Sequence, residues 1–496
     1  MCLITLKTIQ TYAVRSFLIL ACYVAIPAEA QPADVRVLVD VSGSMEQADP
    51  KAVRGPATAL LATLLPDESL GGIWLFGSDV RPLVPYGPVN VRWDALLKPI
   101  ESSIGSTDRF THMESALKTG IEAGKESKAA CHVILITDGI VDVRGGREAS
   151  QASRDRILKV VLPSAIKKNC RIHTIALSKQ ADLSLLRQIS LATNGLFTLI
   201  NNPGDLIPVM LDALELALRS QQLPVRDQHI QVDADIRQLR IIRLDETKKI
   251  ELKSEKIAID HEVNDPSINW YTGRGYQALI WSNPSPGRYR LNTEFGKNDR
   301  ILIDSSVILD LEELPPTIAS NQTLGLSANI VGATGPLTDS KREYWVTFGS
   351  GIDPVREKAS SLRMQLDSPV AGRRLLTLQS FDQSRERQIQ RMFEVLKQKP
   401  ALELANNSAQ GVGQVGSAID GKPKASSSDT AKLYMDQPTV SQAAMEQISA
   451  LSNQAKEILP ENMKTWPTWQ LIAIGLTLLA FLILMIGLML RPQKKS

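Results

Sequence analysis

Residues 35–46 read VRVLVDVSGSME, a β-branched run that stops at an acid and continues into two hydroxyls on alternate positions. Val35, Val37, Leu38 and Val39 form the short, nearly continuous apolar stretch expected of a central strand covered by helices on both faces. A parallel sheet is the natural host for such a strand. Past Asp40, the D-x-S-x-S spacing sets Asp40, Ser42 and Ser44 in the loop leaving the strand's carboxyl end, the edge at which open α/β sheets bind ligands. All three carry oxygen, and hard divalent cations of the magnesium type take oxygen ligands in octahedral geometry while keeping several waters. Two hydroxyls with an acid behind them make a partial cage for such an ion. A helix N-cap is the plainer reading of the same residues.

Further along, VILITDG at 133–139 is a second apolar run ending in an acid, Asp138, and FTHMESAL at 110–117 places Thr111 ahead of a helical pattern. Asp40, Ser42, Ser44, Thr111 and Asp138 thus supply three hydroxyls and two carboxylates from three loops on one sheet edge. With that set, residues 33–220 resemble a von Willebrand factor A (vWA) domain with a metal-ion-dependent adhesion site. The resemblance implies a doubly wound, Rossmann-like α/β fold with a mostly parallel sheet, in which IWLFGSD (73–79) and CRIHTIAL (170–177) are the second and fifth strands. It also implies that Ser42, Ser44 and Thr111 contact a divalent cation directly, Mg2+ first and Ca2+ or Mn2+ as alternatives. Asp40 and Asp138 would act through water, and an acidic group of a partner would complete the shell. Before Thr111 the family often has glycines; this chain has STDRF, which leaves the geometry of that loop open.

The chain has 496 residues, 43% of them hydrophobic, and a net charge of +3. Several packed domains are expected, with no basic patch for nucleic acid. Lys7 and Arg15, an apolar stretch from Phe17 to Ile26, and Ala28-Glu29-Ala30 read as a secretory signal over residues 1–30. At the other end, the apolar run from Leu471 to Leu490 is flanked by Trp466 and Trp469 on one side and by Arg491, Lys494 and Lys495 on the other. That pattern predicts a transmembrane helix over 470–490 and a cytoplasmic tail over 491–496.

The vWA-like domain is expected to run from 31 to 222. In GRYRLNTEF (287–295), Tyr289, Leu291, Thr293 and Phe295 alternate with polar residues in the manner of a half-buried strand. The turn at Asn283–Arg288 is echoed at Ser368–Arg373, about 85 residues on, close to the size of an immunoglobulin-like sandwich. Two tandem β-sandwich modules, 223–312 and 313–398, are therefore predicted, meeting at Pro315 and Pro316. Residues 399–469 read as a flexible tether ending in a short helix that carries Ala444, Ile448, Leu451, Ala455 and Ile458.

Catalytic signatures are missing: no Walker loop, no H-E-x-x-H, no C-x-x-C, no G-x-S-x-G. His112 lines the expected site, and His173 alternates within a strand as a structural residue. Cys131 and Cys170, the cysteines left after signal cleavage, open neighbouring strands; a disulfide and two buried thiols are both compatible with that placement. Together these features predict an exported, non-enzymatic protein that binds a protein partner, through an acidic residue, at its metal. No small-molecule substrate or nucleic acid is expected. A structural scaffold of the envelope and, more remotely, a metal-dependent hydrolase are the alternatives. The expected location is a bacterial inner membrane with the bulk in the periplasm, a eukaryotic type I surface protein being the runner-up.

Overall fold

The computed structural model describes residues 33–397, apart from short internal stretches of which 90–98 is the longest. The expected signal peptide, tether, juxtamembrane helix, transmembrane helix and tail lie outside the described residues. Among those described, no helix is long and apolar enough to cross a membrane.

The valine-rich stretch is the centre of a six-stranded sheet. Its strands are β1 (Asp34–Asp40), β2 (Leu70–Phe76), β3 (Val80–Pro88), β4 (Cys131–Thr137), β5 (Cys170–Ala176) and β6 (Phe197–Leu199), in the order β3-β2-β1-β4-β5-β6. All neighbours are parallel except β3, which pairs antiparallel with β2 at the edge. Every residue of β1 and β4 is buried, as the unbroken apolar runs demand of strands covered on both faces. Helices α1 (Arg54–Leu64) and α5 (Leu206–Leu218) cover one face. Helices α2 (Met113–Glu122), α3 (Arg147–Arg156, prolonged by further helical turns to Lys167) and α4 (Leu183–Ala192) cover the other. This is the doubly wound α/β arrangement, and it brings the ends of β1 and β4 together on one edge.

The amino ends of the same strands are closed by other chemistry. Cys131 and Cys170 stand opposite each other in register, with Cα atoms 4.5 Å apart and their sulfurs bonded. Arg36 is buried with its guanidinium on Asp34 at 2.5 and 2.9 Å and on the carbonyls of Gly120 and Ile121 at 2.7 and 3.1 Å.

Strands fill the chain from Gln221 onward. A ten-stranded sheet starts with Ile268–Gly273, Tyr276–Ser282, Ile236–Arg243 and Arg300–Ser305. It passes through the two-residue strand β7 (Gln221–Gln222) and continues with Glu386–Leu396, Gly372–Phe381, Glu343–Phe348 and Val355–Lys358, while Thr317–Ala319 pairs parallel with the end of Glu386–Leu396 as the tenth strand. A four-stranded sheet packs on each half, enclosing one core around Leu239, Ile241, Trp281 and Tyr289 and another around Leu326, Tyr344, Leu376 and Phe393. Two cores therefore share one continuous sheet. Strand Ile308–Leu311 pairs with Leu324–Gly332 and so lies with the second core. The two echoed turns lead into strands that hold different places: Gly287–Leu291 lies in an outer four-stranded sheet and Gly372–Phe381 in the shared one. A similar turn thus marks a strand start here without marking an equivalent strand.

The α/β unit is fused to this region. Helix α5 is apolar on nearly every face (LIPVMLDALELAL), and a helix of that kind must be covered all round. Its Met210 and Leu214 share one buried core with Val37 and Val39 of β1 and with Ile242, Tyr276, Ala278 and Leu302 of the ten-stranded sheet. Its two acids, Asp212 and Glu215, are buried against Arg300 at 3.1 and 2.9 Å, and Arg373 also reaches Asp212. Gln222 donates to Glu215 at 2.7 Å and accepts from Gln388 at 2.9 Å.

Candidate metal centre

The carboxyl ends of β1 and β4 bring the predicted residues together. Asp40 ends β1 and is fully buried. It accepts from the Ser42 N–H at 2.8 Å and from the Thr137 hydroxyl at 2.5 Å. Ser44 opens a single helical turn, Met45–Ala48, yet its side chain caps nothing. Its hydroxyl instead donates to Asp138 at 2.9 Å and lies 3.2 Å from the hydroxyl of Ser42. The N-cap reading of Ser44 is thereby removed: the oxygen that would cap a helix is turned toward another loop. Thr111 is buried, and its hydroxyl and the Asp40 carboxylate lie 3.4 and 3.8 Å from the point where a Cβ on Gly139 would stand. All five side chains thus converge on one spot.

Burial dominates the electrostatics there. It raises the Asp40 carboxyl to about 6, although hydrogen bonds from Ser42 and Thr137 work the other way, and the nearby Asp138 charge adds to the rise. Burial also raises Asp138, partly offset by the bond from Ser44 and the charge of Arg54. Among the described residues, neither carboxylate forms an ion pair with a side chain. Two buried acids a few ångströms apart, without a cation between them, are costly in their charged form.

The loop that departs from the family's glycines is held by Asp108. The N–H groups of Thr107 and Asp108 both donate to the Val41 carbonyl at 3.0 Å, and Asp108 accepts from Ser78 N–H and Arg81 at 3.0 Å each. Burial alone would raise the Asp108 carboxyl, but the bonds from Arg81, Thr107 and Ser78 outweigh it and hold it below its usual range. The fit requires Gly77, since a Cβ there would stand 2.3 Å from the Cβ of Asp108. Thr111 is fixed in turn by main-chain bonds to Asp142, 2.7 Å from its own N–H and 3.3 Å to its carbonyl.

Reading the sequence missed three contributors. Thr137 fixes Asp40, and its only signal is its position before Asp138 in VILITDG. Arg54 is fully buried below the loops, bonded to Asp49 at 2.8 Å, Ser106 at 3.0 Å and the Asp40 carbonyl. Asp142 has no signal in the motif at all. His112 packs its ring 6.0 Å from that of Phe110 beside the site. His173 lies in the middle of β5, three residues from Cys170 and away from the site, stacked on His132.

Residues 34–207 match the family model of the von Willebrand factor type A domain, so the chain carries that domain. No curated protein matches the sequence at a significant level. Among solved structures, a von Willebrand factor type A protein from Catenulispora acidiphila is 15% identical, covering 63% of this chain and 65% of that chain with a TM-score of 0.34. An aerotolerance-related membrane protein from Bacteroides fragilis is 12% identical over 37% of this chain and 98% of that one, TM-score 0.28. Proximal thread matrix protein 1 from the mussel byssus, solved with a zinc-occupied MIDAS motif, is 18% identical over 39% and 50%, TM-score 0.29. The chain spans 65% of the length of the first of these proteins. None of these likenesses bears on what this chain binds.

Proposed function

We propose that the protein captures a protein partner through a divalent cation held by Ser42, Ser44 and Thr111, with Asp40 and Asp138 acting from behind through water. The observation that carries this reading is the spacing of the oxygens. In an octahedral shell with bonds of about 2.0–2.1 Å, adjacent ligands stand roughly 3 Å apart. The hydroxyls of Ser42 and Ser44 are 3.2 Å apart, as adjacent ligands would be, and Asp138 behind them accepts from Ser44 at 2.9 Å. The oxygens are thus close-set already, and a hard cation would offset the two buried acids. Mg2+ suits this all-oxygen set best, with Mn2+ or Ca2+ as substitutes. When bound, the ion would supply an electrophilic position open to an added carboxylate. Ser44 is the exposed member of the set and marks the side from which a partner would enter.

Around this site, the signal-like start and the apolar run 471–490 support an exported protein held in a bacterial inner membrane, with its metal site in the periplasm. The fusion of α5 to the ten-stranded sheet favours a second role: the β region acts as a rigid mount, as an envelope scaffold would require. Proximity labelling from the full-length chain separates the two. Capture predicts a set of neighbours lost with chelator and with Thr111→Ala. An identical set from wild type and variant would leave the scaffold reading in its place.

A further inference from the structure

The residue before Thr111 carries an arrangement that the metal site does not use. Arg109 and Arg144 flank the antiparallel bridge between Thr111 and Asp142, each two residues away from it. Both side chains are exposed, and their guanidinium carbons lie 5.5 and 6.0 Å from the centre of the Phe110 ring. Among the described residues neither has a carboxylate within ion-pairing distance. The neighbouring Arg81 differs in being paired with Asp108 at 3.0 Å, and Asp142 and Glu148 pair with neither arginine. Two like charges beside one ring repel each other, and an anion taken up next to them relieves that repulsion. The main chain under the pair is fixed as well, since the N–H groups of Arg109 and Phe110 lie 3.3 and 3.4 Å from the Ser78 hydroxyl. Ile140, 58% exposed, follows Asp138 by two residues and gives the same rim an apolar contact.

We propose that Arg109 and Arg144 form a clamp for a second carboxylate of the partner, so that the recognised segment is an extended, doubly acidic stretch of polypeptide. This rests on the metal reading for the first acid. Arg109 and Thr111 are two residues apart, so their Cα atoms stand at most about 7 Å from each other, and an extended acid-x-acid segment spaces its two carboxylate-bearing residues by roughly the same 6.6 Å. An acid-x-acid segment lying along this loop therefore presents one carboxylate to the metal position and the next to the clamp. The arginine fork accepts a carboxylate through paired N–H donors, and a positive rim beside a cation draws an acidic chain toward the site.

The test measures binding of two labelled peptides to the full-length protein in saturating Mg2+: an extended Asp-x-Asp peptide and its Asp-x-Asn counterpart. Wild type should prefer the doubly acidic peptide about tenfold. In R109Q/R144Q the ratio should fall to about one, whereas Arg147→Gln, which removes an exposed charge outside the clamp, should keep it. Equal affinities in wild type, or a tenfold ratio surviving in the double variant, would overturn the clamp. Thr111→Ala and chelator distinguish the two readings. If the preference needs the arginines and ignores chelator, the clamp stands and the metal reading fails. If binding needs the metal and the ratio ignores the arginines, the reverse holds. Inorganic phosphate displacing the doubly acidic peptide at equal concentration would reduce the clamp to a general anion patch and overturn its assignment to a peptide.

Discussion

The two ends of the α/β sheet bury polar groups in opposite ways. At the amino end each buried group has a partner within the chain: Arg36 with Asp34 and two carbonyls, His132 with His173, and Cys131 with Cys170. At the carboxyl end the hydroxyls and acids touch one another, and among the described residues no basic side chain pairs with Asp40 or Asp138. A closed set supports stability, and an open one supports binding at some cost in stability. Substitutions at the amino end should therefore change unfolding, and substitutions at the carboxyl end should change metal response.

The largest expected effect is at Arg36. Arg36→Met leaves Asp34 charged and buried, with the Tyr86 hydroxyl at 2.9 Å as its remaining side-chain donor among the described residues, and orphans two carbonyls. Breaking one side of a buried pair costs about 3–5 kcal/mol. Denaturant unfolding of the full-length protein should show that loss, and a change below about 1 kcal/mol would contradict the closed-set account.

Next comes the bridge between β4 and β5. It spans a separation of 39 residues, for which loop-closure arguments give about 2–4 kcal/mol. Reductant should destabilise wild type by that amount and leave a C131A/C170A variant unmoved. Equal sensitivity of both proteins, or two free thiols in the denatured oxidised protein, would show that the cysteines stay unbridged.

The histidine pair should respond to acid. Leu196 N–H donates to His173 Nδ1 at 3.1 Å, so His173 carries its proton on Nε2 and donates it to His132 Nδ1 at 3.0 Å. Burial pushes His173 down to about 3, with the Arg171 charge adding to the effect. It also pushes His132 well below its usual value, helped by His173 and Arg171. Because the folded values are depressed, the stability these groups contribute is whole above about pH 6.5 and drains as pH falls toward the folded values. Between pH 6 and 5 the pair should remove roughly 2 kcal/mol. His173→Gln should flatten the slope by about half, and an unchanged slope would assign the acid sensitivity elsewhere.

Much of this contrast was legible from particular residues, and the rest was hidden for physical reasons. VRVLVD and VILITD announce buried parallel strands because only strands covered on both faces are apolar at consecutive positions, and the acids at their ends mark the ligand edge. Residues that act through the main chain leave no such pattern. Asp142 holds Thr111 through backbone bonds that any residue could make, and Arg54 in a run of small residues looks like one more surface charge. The fusion of α5 was legible and went unread: LIPVMLDALELAL has no polar face, so it requires a second layer of protein beyond the sheet it covers. Tandem modules of similar length do not reveal that one sheet runs through both. At the joint, Gln222 of β7 bonds to Glu215 and Gln388, and Arg387 of the second half bonds to Asp233 and Ser305 of the first.

The smallest effect on folding should accompany the sharpest effect on function. Ser44 is exposed, caps no helix, and gives its hydroxyl to Asp138 and Ser42 alone. Exposed hydroxyls of this kind contribute at most about 0.5 kcal/mol when no buried partner is left unpaired. Asp138 is buried, but it keeps the hydrogen bond from its own backbone N–H when the Ser44 donor is lost, which limits the penalty. Ser44→Ala should therefore leave the metal-free melting temperature nearly unchanged. Wild type should gain stability with Mg2+ by mass action, about 2.7 kcal/mol at a hundredfold excess over Kd, and the variant should lose most of that gain. A variant that melts early without metal yet keeps its full response would make Ser44 a structural residue, and the two ends of the sheet would no longer differ in kind.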